Sequence, residues 1–271
     1  LRGYKGLAVA SEKDEWEDRA FSTLAQMIER SVSGQPSSIT PCTNTTLQKL
    51  AREGGVQVRA AARIDFGGGW TDTPPYSIER GGTVLNAAVT LRGDHPIVAE
   101  AVPLLEPRLI LESQDIGVTL EPKHVGELIV YANPADPFAL HKAALVLKGI
   151  VPLDLDPATP VADLLQTFGG GLRLSTQTSI PRGSGLGTSS IMAGAVLTCL
   201  SRLVGQDTTP AELFDEVLCL EQMLTTGGGW QDQAGGLVGG IKLVSTQPGL
   251  PQQIHVEPVR LSPETKVELS S

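Results

Sequence analysis

Pro181-Arg182-Gly183-Ser184-Gly185-Leu186-Gly187-Thr188-Ser189-Ser190 is the stretch whose reading decides the fold. Before it, Leu172 to Ile180 alternates along the chain; after it, Ile191, Met192, Ala195, Val196, Cys199, Leu200 and Leu203 recur at helical spacing. A strand, a glycine turn and a helix N-terminus are therefore predicted in succession. Glycines at 183, 185 and 187 let backbone approach a ligand closely. The first N–H groups of the helix are unpaired and lie at the positive end of its dipole. Such a turn is an anion site, most naturally for phosphate.

Two familiar phosphate loops fit it badly. No lysine follows the turn, so the point charge of a P-loop is absent. A dinucleotide fingerprint read from Gly183 would need a glycine where Thr188 stands. What remains is a loop with hydroxyls at 184, 188, 189 and 190, suited to phosphate oxygens and a hydrated Mg2+. A plain strand-to-helix turn is the alternative.

The 271 residues suffice for one large or two small domains. A net charge of -9 without a basic run argues against nucleic acid or an anionic membrane surface as partner. No apolar run reaches membrane-spanning length and no signal peptide is visible at the start. Cys42, Cys199 and Cys219 lack metal spacing and read as reduced thiols of a cytoplasmic protein. His95, His124 and His255 have no partners at ligand spacing, and His141 reads as a surface or partly packed helical residue.

Residues 1–55 form a segment ahead of the main domain: a helical pattern over 11–31, a Ser/Thr/Pro-rich linker to Thr46 and a short polar helix. Val56 to Phe66 reads as one buried strand running into Gly67-Gly68-Gly69-Trp70-Thr71-Asp72-Thr73-Pro74-Pro75. That loop offers Trp70 as an apolar platform and Asp72 as an acceptor for paired hydroxyls, or it is only a decorated turn. Short strands follow at Thr83 to Leu91, Pro96 to Ala101 and Arg108 to Glu112, then a helix from Asp136-Pro137. Thr209-Pro210-Ala211-Glu212 is a capping box opening a helix that turns Leu213, Val217, Leu220 and Leu224 inward and reaches Glu221. A lone glutamate there is exposed by default, or is compensated by a cation. Thr225 to Gln233 reads as a second glycine-rich loop ending in an acid, with strands at Leu237 to Val244, Ile254 to Val259 and Lys266 to Leu269.

Taken together these stretches resemble the GHMP family of small-molecule kinases. Residues 181–190 are similar to the family's second motif, and Arg63-Ile64-Asp65-Phe66-Gly67-Gly68-Gly69-Trp70-Thr71-Asp72 to its first. With Thr225-Thr226-Gly227-Gly228-Gly229-Trp230-Gln231-Asp232-Gln233, the match is nearest to the family's L-fucokinase branch, over about residues 56 to 245. The resemblance implies a two-layer α/β or α+β fold, ribosomal protein S5 domain 2-like, a mostly antiparallel sheet with packed helices. Residues 56–271 would be the N-terminal lobe. The third glycine-rich motif would fall after Leu269, so a longer polypeptide is expected, and activity of this piece alone is doubtful. Whether that polypeptide also carries a nucleotidyltransferase domain, as some fucokinases do, stays open.

The same resemblance implies roles. ATP would lie on Gly183, Ser184, Gly185, Leu186, Gly187, Thr188 and Ser189, with Mg2+ on Ser189 and Glu221. Asp232 would stand beside the accepting hydroxyl and Arg63 near the transferring phosphoryl group. Gly69, Trp70, Asp72 and Gly229 would line the sugar. Galactokinases carry Glu-His where this chain has Gly69-Trp70, which points away from galactose and toward a 6-deoxy sugar, L-fucose phosphorylated at its anomeric hydroxyl. A heptose-phosphate or other sugar kinase, and a nucleotide- or sugar-binding module without turnover, are the alternatives.

Overall fold

The computed structural model describes residues 19, 22–28, 44–133, 135–181, 183–224 and 227–270. Of the helix expected over 11–31, only residues 19 and 22–28 are described, and these are helical; most of the linker that follows lies outside the described residues. The short polar helix is present as α1, Asn44–Arg52.

Two sheets carry the fold. The first is ordered β1-β4-β7-β5-β6, with β1 Val56–Ala60, β4 Ile97–Leu104, β5 Leu109–Ser113, β6 Val118–Leu120 and β7 Gly171–Thr178. Its pairings are antiparallel except β5 with β7. The second is ordered β2-β3-β8-β9, antiparallel throughout, with β2 Ala62–Gly67, β3 Gly82–Val89, β8 Ile241–Thr246 and β9 His255–Pro258. The strand expected over 56–66 is thus two strands in two sheets. Small and β-branched residues run unbroken through buried Ala60, Ala61 and Ala62, and an apolar run gives no sign of where its pairing partner changes.

After the short helix α2, Tyr76–Arg80, the principal helices are α3, Ala139–Leu147; α4, Val161–Phe168; α5, Thr188–Leu203; and α6, Pro210–Met223. Helix α5 is buried on nearly every side and packs on β1, β4 and α6. The predicted capping box at its neighbour is in place: Thr209 Oγ1 accepts from the Glu212 amide at 3.3 Å and a Glu212 carboxylate oxygen accepts from the Thr209 amide at 2.8 Å.

Two expectations fail downstream. Gln231–Leu237 is a short helix, α7, and its strand begins only at Ile241. Gly235 and Gly236 hide this helix from propensity. Tertiary packing explains both glycines: a Cβ at 235 would sit 2.8 Å from Arg63 Cβ, and one at 236 would collide with Ile191. Residues 266–269, expected as strand, belong to α8, Pro263–Ser270. Ser262 Oγ accepts from the Thr265 amide at 3.2 Å ahead of Pro263, an N-terminal signature that outweighs the local alternation.

Candidate active site

The glycine turn enters α5 as expected. Gly183, Gly185 and Gly187 have φ of 76°, 74° and 75°, and a Cβ at either of the first two would meet nothing within 4 Å. Among the described residues no side chain caps the helix N-terminus, and the first intrahelical bond is from the Ile191 amide to the Gly187 carbonyl. The amides of Thr188, Ser189 and Ser190 thus precede the helical ladder, beside an open glycine turn, the arrangement that receives anions. Arg182 of this loop is outside the described residues.

Gly187 also closes the distance to the chemistry. A Cβ there would lie 3.0 Å from Asp232 Cγ and 3.2 Å from Arg63 Cγ. Arg63 on β2 donates through Nε to Asp232 Oδ1 at 2.7 Å, with Nη2 2.5 Å from the same oxygen. Its Nη1 is 2.6 Å from Oδ2 of Asp65. One guanidinium is thereby held between two carboxylates. Asp65, two residues from Arg63 and on the same strand face, has no role in the sequence reading. Burial raises its pKa, opposed by Arg63 and reinforced by Asp232.

The sugar-side residues divide. Trp70 is 72 % exposed, with φ of 72° and its amide 3.4 Å from Gln231 Oε1; its ring is free to meet a ligand. Gly69 lies beside it, near Gln231 and Asp65. Asp72 sits differently from the expectation: it is fully buried, and its Oδ2 accepts from the Gln231 amide at 2.9 Å. In this structure it holds the first residue of α7, and its other oxygen is buried without a hydrogen bond. Burial pushes its carboxyl up to about 6. Gly229 serves the same packing, since a Cβ there would collide with the Asp72 carboxylate.

Glu221 is 3 % exposed, contrary to the default for a lone helical glutamate. It falls on the α6 stripe of Phe214, Val217 and Leu218, buried like them. Its Oε1 accepts from Ser190 Oγ at 2.9 Å, and Gly228 passes close to its Oε2. Ser189, the expected metal ligand, is exposed in the first turn of α5, and its neighbour Ser190 is the one that meets Glu221. The Glu221 carboxylate and the Ser190 hydroxyl are hard oxygen donors of the kind Mg2+ takes with phosphate, and exposed Ser189 stands next to Ser190 in the first turn of α5. The residues fit that ion.

Sequence reasoning missed three further contributors. Trp230 is fully buried beneath the glycine-rich loop, in a cluster with Val84, Phe214, Ala234 and Val244, and fixes where α7 starts. Asn86 on β3 donates to the Gln231 carbonyl at 3.3 Å. Lys242 is a buried lysine on β8. A polar residue inside an alternating apolar strand was the available signal for the last two. His141, expected as a surface or partly packed residue, is fully packed on α3 with Nε2 3.2 Å from Thr176 Oγ1, and burial lowers its pKa to about 4. Among the described residues no helix is long and apolar enough to cross a membrane.

Residues 158–240 match the GHMP kinases N terminal domain. The chain is 42 % identical over 195 residues to the L-fucokinase/L-fucose-1-P guanylyltransferase of Bacteroides fragilis, 72 % of this chain and 20 % of that protein. It is 42 % identical over 216 residues to the bifunctional fucokinase/GDP-fucose pyrophosphorylase of Arabidopsis thaliana, 79 % of this chain and 19 % of that one. The chain spans about a fifth of the length of these relatives. The fold is similar to a D-glycero-D-manno-heptose 1-phosphate kinase from Bacteroides thetaiotaomicron, with a TM-score of 0.51 at 22 % identity over 76 % of this chain and 60 % of that one.

Proposed function

Because this chain carries the N-terminal domain of a GHMP kinase, we propose that it works, within a longer polypeptide, as an ATP-dependent sugar 1-kinase with L-fucose as acceptor. The observation that carries the reading is one junction: Gly187, which ends the anion loop, is in contact with the Arg63–Asp232 pair. Phosphate binding and the acidic partner of a hydroxyl are thereby adjacent.

Phosphoryl transfer asks mainly for positioning and charge stabilisation. The uncapped amides of Thr188, Ser189 and Ser190, with the loop from Gly183, hold the β- and γ-phosphates. Ser189 and Glu221 would hold Mg2+, which when bound offsets charge on the phosphate oxygens. Asp232 accepts a hydrogen bond from the anomeric hydroxyl and orients its oxygen toward the γ-phosphorus. The new P–O bond forms as the bond to the β-phosphate oxygen breaks, and the hydroxyl proton leaves to Asp232 or to solvent. Arg63 offsets the charge that builds on the transferring group. Trp70 offers an apolar face to the 6-methyl of L-fucose, at the position where a galactose 6-hydroxyl would gain nothing.

The test measures ATP consumption by this chain, and by the chain extended at its C-terminus, against L-fucose, D-galactose, D-arabinose and a heptose 7-phosphate. L-fucose is expected to be strongly preferred, and Asp232→Asn to lower turnover by about 10²-fold or more. Turnover in the variant within a few-fold of the parent removes Asp232 from this role. ATP binding with no sugar-dependent turnover leaves a binding module instead.

A further inference from the structure

Helix α7 is too short to hold itself in place, yet it carries Asp232. Beneath it, strand register aligns Asp65 with Asn86 and Asn86 with Lys242. Directly paired residues project to the same face of a sheet, so these three side chains form a polar row across β2, β3 and β8. Two of them grip the helix by its own backbone. Asn86, fully buried, donates through Nδ2 to the Gln231 carbonyl at 3.3 Å, the peptide that leads into Asp232. Lys242, 1 % exposed, donates through Nζ to the Gly235 carbonyl at 2.8 Å and to the Gly240 carbonyl at 3.0 Å. Gln231 and Gly235 are one helical turn apart, so the sheet holds that turn at its first and last carbonyls. Gly235 permits the seat: a Cβ there would come 3.0 Å from the Asn86 amide nitrogen as well as against Arg63.

A buried lysine whose described bonds go to neutral carbonyls is costly, and burial lowers its pKa to about 8. Its charge lies at the C-terminal end of α7, where a cation complements the carbonyl dipoles. We propose that Asn86 and Lys242 are positioning residues, a two-point clamp that sets α7 on the second sheet and so holds the Asp232 carboxylate against Arg63. The clamp rests on the kinase reading for its purpose but not for its existence.

Two measurements separate these. Amide exchange across Gln231–Leu237 is expected to rise about tenfold or more in Lys242→Met and in Asn86→Leu, while α5 stays within about twofold. In the extended chain, each variant is expected to lower kcat by about 10²-fold with KM for ATP little changed, since displacement of about 1 Å at a reacting group has that effect. Lys242→Arg, which keeps the charge and N–H donors for the two carbonyls, restores most of the loss. Should Lys242→Met not fold, Lys242→Gln replaces it, keeping an N–H donor for a carbonyl without the charge. Exchange that is unchanged, or faster in both helices alike, overturns the clamp. So does localised exchange with kcat within twofold of the parent. Absence of sugar-dependent turnover in the parent itself defeats the kinase reading, and the exchange result still decides whether the clamp exists.

Discussion

Replacing Asp72 by Asn tests whether this acid is a buried structural anchor. The carboxyl is fully buried, takes one hydrogen bond from the Gln231 amide and has its pKa raised from 3.8 to about 6, chiefly by burial, with Asp232 and Asp65 adding to it. Burial disfavours the charged form, so ionised Asp72 weighs against the folded state above about pH 6. That weight fades as pH falls through 6, when the native carboxyl takes up a proton before the unfolded one does. At ~1.4 kcal/mol per pH unit the full effect is about 3 kcal/mol, of which about 1.4 kcal/mol develops between pH 5 and pH 7.5. Asparagine keeps an oxygen for the Gln231 amide and adds an NH2 to a dry site at ~1–3 kcal/mol, but that loss does not vary with pH. The informative quantity is therefore the slope. Urea unfolding of both proteins at pH 5 and 7.5 is expected to show Asp72→Asn gaining about 1.4 kcal/mol relative to the parent at the higher pH. A difference between the two proteins that stays constant within about 0.3 kcal/mol, or changes in the opposite direction, refutes the assignment.

Three other substitutions probe the remaining parts. Gly187→Ala places a side chain at φ 75° and against Asp232; thermal unfolding is expected to register a loss of about 1–2 kcal/mol, with turnover falling as the Arg63–Asp232 pair is pushed aside. Glu221→Gln retains an acceptor for Ser190 but loses the charge, so titration with Mg2+ is expected to require about tenfold or more of the ion for half-maximal activity. Trp70→Ala removes a ring that is 72 % exposed, so stability stays within about 0.5 kcal/mol, while KM for L-fucose rises about tenfold and use of D-galactose is unaffected.

What the sequence disclosed and what it withheld follow from how far each signal reaches. The turn at 181–190 is local chemistry, glycines and hydroxyls ahead of a helical pattern, and the structure places it at the N-terminus of α5 as read. The capping box at Thr209 is equally local and equally legible. The change of sheet at Ala61 was not, because residues on either side differ only in their distant partners, β4 for one and β3 for the other. Helix α7 was hidden for a related reason. Its glycines lower helix propensity but make room for Arg63, Asn86 and Ile191, contacts up to 172 residues away in sequence order that no window detects. Motif position named Asp232 and Arg63; only the fold brings Asp65 to the other side of the same guanidinium.

The charges at this junction explain why its parts are held so firmly. Asp65 and Asp232 flank the one guanidinium of Arg63, and Asp72 lies near enough to both acids to have its proton affinity raised by them. Among the described residues, three carboxylates to one arginine leave an excess of negative charge at this junction, and like charges in a half-buried place separate unless something fixes them. Arg63 holds Asp65 and Asp232, and uncharged groups hold the rest. The Gln231 amide holds Asp72, Asn86 holds the Gln231 carbonyl, and the bare amides of the α5 N-terminus face the loop. Lys242, one turn along α7, supplies a buried positive charge from below. On the proposed kinase reading, that excess would favour an anion that brings its own divalent cation over a bare one. On the same reading Glu221, buried and accepting from Ser190 at the start of α5, would hold that cation.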